Sequence, residues 1–183
     1  MKPLQNGFSM IEMVVVMSIV GILFAIGAPS YRYVTTANRM SSEINGMLGD
    51  LQFARAEAIK RGQTVSVCAS TDGATCTTNS THWETGWLVI TDTGVLGTID
   101  GSDIILRVQK PLSGGDTFLA DTTLSAITFN RDGFAMGLPP AVVLKLHDST
   151  ANTAYSRCLS ITIVGALSTQ ISGATTAENT ACN

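Results

Sequence analysis

The chain has 183 residues and a net charge of −3, and 45% of its residues are hydrophobic while only 14% are charged. This length suits one domain with an appendage, and the acidic balance excludes a general nucleic-acid binder, which would be basic. The hydrophobic residues are concentrated at the N-terminus. Past residue 62 the chain is rich in Thr, Ser and Gly, as exported β domains are.

The first predicted element is an apolar helix over residues 8–28, in which Glu12 is the only charged residue. About 20 apolar residues in a helix span the roughly 30 Å hydrocarbon core of a bilayer, so a single-pass anchor is physically sufficient. A removed secretory signal is the alternative, but it would have a basic n-region, a shorter apolar region and a small-residue cleavage site. A buried core helix is disfavoured because the segment is apolar on every face. The sequence therefore predicts a membrane anchor.

Glu12 is unexpected inside this segment. A charge near the centre of a membrane helix costs about 2.5–3.5 kcal/mol, and the cost is smaller near the helix end. One hypothesis is therefore that Glu12 simply lies at the membrane interface. The other is that it pairs with a positive charge supplied by a partner. A cut between Gly7 and Phe8 would create an α-amino group four residues before Glu12, on the same helix face.

The sequence GFSMIE at residues 7–12, followed by the apolar helix, resembles the class III leader of type IV pilins and type II secretion pseudopilins. The resemblance implies that a prepilin peptidase cuts after Gly7 and methylates the new N-terminal Phe8. It also implies that Glu12, the fifth residue of the cleaved chain, pairs with the N-terminus of a neighbouring subunit. Pro29 matches a helix-kinking proline that is common in these proteins.

A second helical pattern continues behind the anchor, over residues 29–62. Apolar residues recur at steps of three and four, which places them on one helix face: Met40, Ile44, Met47, Leu51, Ala54 and Ala58. Gly62 follows two basic residues and predicts the helix end. Pro29 predicts a bend or local unwinding, since proline removes one helical hydrogen bond and clashes with the preceding turn.

The rest of the chain predicts antiparallel strands separated by turn-forming residues. Gly133 is expected in a hairpin turn with φ above zero. One helix followed by many strands predicts an α+β fold, in which a long N-terminal helix packs on an antiparallel β-sheet head domain. The predicted strands cover residues 64–68, 86–90, 104–108, 126–129, 141–146, 158–164 and 167–171.

This order of elements, together with the sequence GWLVITD at residues 86–92 and a turn with the sequence RDG at 131–133, resembles the GspH/FimT family of minor pseudopilins and minor pilins. The resemblance covers nearly the whole chain. It implies a leader at residues 1–7, a membrane or filament-core helix at 8–28, an amphipathic half-helix at 29–62 and a periplasmic head at 63–183. It also implies anchoring in a bacterial inner membrane and incorporation into a pilus or pseudopilus with other pilins as partners. No enzyme activity or cofactor is expected.

The four cysteines agree with an exported domain. Four cysteines allow three connectivities, and proximity in sequence favours Cys68 with Cys76 and Cys158 with Cys182. The second bridge would hold the polar tail at residues 175–183 onto the domain. A metal site is disfavoured because Cys68 and Cys76 are eight residues apart and no histidine lies at zinc-ligand spacing from either pair.

Catalytic and DNA-binding patterns are weak. His82 and His147 lie in no nucleophile or metal-protease setting, and both are expected to be solvent-exposed. Some members of the FimT branch bind DNA through a Gly-Arg-x-Arg motif in the C-terminal hairpin. The matching sequence GALS at residues 165–168 has no arginine, and no Lys or Arg follows Arg157. Because phosphate contacts need cations, the structural role is preferred and DNA binding is the disfavoured alternative.

Overall fold

The computed structural model describes residues 7–174 and residue 182. By its contacts the chain divides into two units, one ending at Asn38 and the other beginning at Arg39. A single helix, α1, spans Met10–Arg61 and contributes residues to both units.

In the first unit, α1 begins two residues later than the predicted start at Phe8. The carbonyl of Ser9 accepts hydrogen bonds from the amides of Glu12 and Met13, at 3.1 and 3.2 Å. The helix continues through Pro29 without a break. The structure therefore has no local unwinding at this proline, and a bend there stays a prediction.

In the second unit, α1 buries the predicted apolar face. Each of its six residues is at most 2% exposed, namely Met40, Ile44, Met47, Leu51, Ala54 and Ala58. The helix ends where expected, because Gly62 adopts a φ of +67° that L side chains rarely reach. The amide of Gly62 donates a hydrogen bond to the carbonyl of Ala58 at 3.0 Å, which satisfies one terminal carbonyl.

Among the described residues, nine strands form two antiparallel sheets rather than one. The five-stranded sheet has the order β3-β2-β1-β5-β6 and the four-stranded sheet the order β4-β7-β8-β9. The strands are β1 Val65–Ala69, β2 Trp87–Thr91, β3 Ile105–Gln109, β4 Thr117–Ala120, β5 Ala126–Phe129, β6 Ala135–Met136, β7 Ala141–His147, β8 Arg157–Thr162 and β9 Leu167–Ile171, with a short 3-10 helix at Thr153–Tyr155.

Two strands were not predicted from the sequence, and both are short. The pairing of β4 with β7 places Thr117 opposite His147, and the pairing of β6 with β5 places Ala135 opposite Phe129. Segments of two and four residues are too short to show a periodic pattern in the sequence, and pairing with β5 and β7 makes them extended.

The main core lies between the apolar face of α1 and both sheets. The five-stranded sheet contributes Val67, Trp87 and Phe129, and the four-stranded sheet contributes Phe118 and Leu144. Trp87 and Phe118 meet edge to face with ring centroids 6.3 Å apart, so they join the two sheets through one aromatic contact.

Two disulfides lie outside this main core. Cys68 is bonded to Cys76, and Cys158 is bonded to Cys182. Cys68 lies in a small cluster on the other face of the five-stranded sheet, and Cys158 and Cys182 pack with Val143 in a separate cluster. Each bridge therefore fastens a loop or tail residue to a sheet face that α1 does not cover. Apart from Cys182, the tail predicted at residues 175–183 lies outside the described residues.

Candidate functional site

The described surface of α1 in the first unit is apolar. Its large apolar side chains between Phe8 and Val34 are 40–88% exposed. By length and composition α1 is able to cross a membrane. So much contiguous apolar surface is unfavourable in water and requires lipid or another protein to cover it.

Glu12 is the only charged residue between Phe8 and Ala28 and lies in the first turn of α1; the next charged residue, Arg32, is exposed. A carboxylate is electrostatically favoured at a helix N-terminus. The polar Ser18 is satisfied within the helix, because its hydroxyl donates to the carbonyl of Val14 at 2.8 Å. No ion pair to Glu12 is found among the described residues. Within the described residues, Glu12 is therefore a charge on an apolar helix surface without an ion pair.

A cluster of charged residues in the second unit joins α1 to the connection between β3 and β4. The guanidinium of Arg39 donates two hydrogen bonds to the carboxylate of Asp116, at 2.8 and 2.7 Å, and the Asp116 side chain is fully buried. Glu43, one turn along α1, lies beside them. Burial of Glu43, reinforced by the negative charge of Asp116, raises the pKa of the Glu43 carboxyl to about 7, and Arg39 opposes part of this change.

This cluster was not predicted from the sequence. In the sequence, Glu43 lies outside the apolar face of α1, and SGGD at residues 113–116 is typical of a turn. Residues 113–115 are exposed and only Asp116 is buried, and nothing in the local sequence indicates which helix residue the Asp116 carboxylate meets.

Arg107, a basic residue of β3, is engaged with α1. Its guanidinium lies 2.9 Å from a carboxylate oxygen of Asp50 and 3.7 Å from the centroid of the Phe53 ring. The other carboxylate oxygen of Asp50 accepts a hydrogen bond from the indole of Trp87. Arg107 therefore serves packing of the helix on the sheet and is a poor candidate for phosphate binding.

Each of the two histidine side chains lies beside one polar side chain. His82 is mostly exposed, as predicted, and its Nδ1 lies 2.6 Å from a carboxylate oxygen of Glu84. The prediction for His147 was wrong, because this side chain is half-buried and its Nδ1 lies 2.8 Å from the hydroxyl of Ser156. Burial and the charge of Lys145 lower the pKa of His147. Within the described part of the chain, no group of three acidic, histidine or cysteine side chains is placed to hold a metal ion.

Solved structures of two proteins share this fold. The type IV minor pilin FimU of Pseudomonas aeruginosa superposes with a TM-score of 0.56 at 21% identity, over 76% of this chain and 92% of FimU. The minor pseudopilin EpsH of the type 2 secretion system of Vibrio cholerae gives a TM-score of 0.52 at 14% identity, over 74% of this chain and 99% of EpsH. At these identities the likeness shows the fold alone. No curated protein matches the chain in sequence.

Family models match both parts of the chain. Residues 2–28 match the prokaryotic N-terminal methylation motif, and residues 43–165 match the type II transport protein GspH. The second match covers most of the chain, and it contains the end of α1 and all strands up to β8. Proteins of this family are structural pilin-type subunits and not enzymes, which agrees with the prediction. The chain belongs to the GspH family of type II transport proteins and is a pilin-type subunit with a prepilin leader.

Proposed function

We propose that this protein is a minor subunit that initiates or caps assembly of a type IV pilus or a type II secretion pseudopilus. The observation that carries the proposal is the single carboxylate of Glu12 on an otherwise apolar, exposed helix surface. Such a surface would allow the subunit to lie in the inner membrane before assembly and to be buried among the helices of a filament afterwards. The second unit would then lie in the periplasm.

Processing would prepare the helix for assembly. A prepilin peptidase would cut between Gly7 and Phe8 and methylate the new N-terminal amine. In the membrane, Glu12 near the helix end stays hydrated at small cost. In a filament core, water is excluded, and the N-terminal amine of an adjacent subunit offsets part of the cost of burying the carboxylate. A subunit displaced along the filament axis relative to its neighbour would leave a charge unpaired. The ion pair would therefore also fix the axial position of the subunit.

Substitution of Glu12 tests this function. Glu12→Ala and Glu12→Gln should leave membrane insertion and processing intact but reduce the amount of the subunit in sheared filament fractions, normalised to its membrane pool. Ser18→Ala is a matched control on the same helix, because it removes a polar group whose hydrogen bond is already satisfied internally. Wild-type incorporation of both Glu12 variants would mean that Glu12 is only an interfacial residue.

A further inference from the structure

Four large apolar side chains near the C-terminal end of α1 are about half exposed. Ile59 is 53% exposed, Phe134 50%, Ile163 47% and Val164 52%. They come from α1, from the connection between β5 and β6, and from the turn between β8 and β9. We call these four residues the helix-end patch.

Backbone contacts bring the three segments of the helix-end patch close together. The amide of Ala135 donates to the carbonyl of Ile163 at 2.9 Å, which links the two connections directly. Gly165 approaches Gly133 so closely that a Cβ at 165 would lie 2.3 Å from the Gly133 carbonyl oxygen. A Cβ at 133 would in turn lie 3.0 Å from the Ile59 side chain. The close approach of these glycines brings the apolar residues of three separate segments together.

Hydrogen bonds hold the helix-end patch in a fixed shape. The guanidinium of Arg55 donates to the carbonyls of Gly165 at 2.8 Å and Val164 at 3.3 Å. The side chain of Asn130 accepts from the amide of Phe134 at 2.9 Å. A surface ordered in advance loses little conformational entropy on binding, so its apolar area contributes more fully to affinity.

The area of the helix-end patch indicates the kind of contact it makes. Four half-exposed side chains of this size offer on the order of 400 Å² of apolar surface, within the range of functional patches on monomers. A stable pair in solution buries about 800 Å² on each partner. The patch is therefore too small to hold a partner alone. It suits one of several contacts made by a subunit that is also held in place through its apolar helix.

Charges around the helix-end patch argue against a second copy of this chain as the partner. In an isologous pair the same patch from each of two copies would meet. The cations around one patch would then lie near the cations around the other and repel them. The rest of the chain makes the protein acidic overall. Lys60 and Arg61 both pair with Glu57, and the cations next to the patch still outnumber the carboxylates. The charged residues that neighbour the patch along the chain or in contact are Arg55, Lys60, Arg61 and Arg131 as cations and Glu57 and Asp132 as carboxylates.

We propose that the helix-end patch binds the folded domain of a different pilin-type subunit, one that presents apolar residues within an acidic rim. The inference rests on the proposed function, because the second contact through the helix makes so small a patch sufficient. Arg55 is a positioning residue in this arrangement, since it orders the turn that carries Ile163 and Val164.

Photo-crosslinking in cells that assemble the filament tests the inference on the full chain. p-Benzoylphenylalanine at Val164 should crosslink to another pilin-type subunit. Val108 is the matched control, because it is also an exposed valine, at 52%, but lies on β3 at the opposite edge of the five-stranded sheet from β6. A crosslink from Val164 only to a second copy, only to nucleic acid, or to nothing would overturn the inference.

A substitution gives a second, independent measurement. Val164→Asp should lower recovery of the subunit in sheared filaments about tenfold, because it places an unpaired carboxylate in an apolar contact, while Val108→Asp should not. Equal recovery of both variants would overturn the inference. Intact disulfides in both variants would show that the second unit has folded. If the wild-type chain itself is missing from filaments, the proposed function fails. If the wild-type chain is present but neither the crosslink nor the recovery depends on position 164, only the inference fails.

Discussion

Replacing Glu43 by glutamine should remove a decline in stability that the wild-type second unit shows as the pH rises. Burial beside Asp116 raises the pKa of Glu43 from 4.5 to about 7, so the folded protein keeps a proton that the unfolded chain has already lost. A group with a raised pKa in the folded state stabilises the fold fully below its unfolded pKa. That stabilisation is lost as the pH rises through the folded pKa, here between 4.5 and about 7.

The size of the effect follows from the pKa change. Each pKa unit corresponds to about 1.4 kcal/mol, so a complete effect would be roughly 3 kcal/mol. Glu43 is only half-buried, and screening by water reduces this to about 1–2 kcal/mol. Glutamine is neutral at every pH and resembles the protonated acid. Glu43→Gln should therefore match wild type near pH 4.5 and exceed its free energy of unfolding by about 1–2 kcal/mol at pH 8.

Urea denaturation of a fragment covering residues 36–183, with both disulfides formed, measures this difference between pH 4.5 and 8. Glu57→Gln is the control on the same helix. Its hydrogen bond with Arg61 lowers the pKa of Glu57, so this variant should lose stability above pH 4.5 and keep the decline caused by Glu43. Parallel curves for wild type and Glu43→Gln across the whole range would refute the reasoning.

Three further predictions concern processing, covalent structure and partners. N-terminal mass spectrometry of membrane-extracted protein should find an N-methylated Phe8 as the first residue, cut from Gly7; a start beyond residue 28 would indicate a removed secretory signal instead. Peptide mapping without reduction should recover the Cys158–Cys182 bridge, and replacing both cysteines by serine should cost on the order of 3 kcal/mol of stability, since the bridge closes a loop of about 25 residues; free thiols in periplasmic material would contradict this. The 36–183 fragment should bind duplex DNA no better than a typical acidic protein; micromolar binding near 150 mM salt with a steep salt dependence would contradict it.

Local patterns in the sequence were enough for the features that depend on neighbouring residues. The apolar helix and the end of α1 at Gly62 follow from composition and backbone chemistry within a few residues, and the leader was identified by the resemblance of residues 7–12 to prepilin leaders. The buried face of α1 follows from helical periodicity, which places residues such as Met47 and Leu51 on one side whatever they pack against. The same local reasoning located seven of the strands but left out β4 and β6.

Tertiary structure decided the features that depend on which distant segments meet. The division into two sheets follows from which strands pair: β4 pairs with β7, which begins 21 positions after Ala120, while β1 pairs with β5 in the other sheet. Glu43 acquires its raised pKa because folding buries its carboxyl and places the negative charge of Asp116, 73 positions later, beside it. The helix-end patch exists only because two glycine turns meet at the end of α1. Local propensity carries no information about such encounters, since their energy comes from desolvation and contact between residues that the sequence keeps apart.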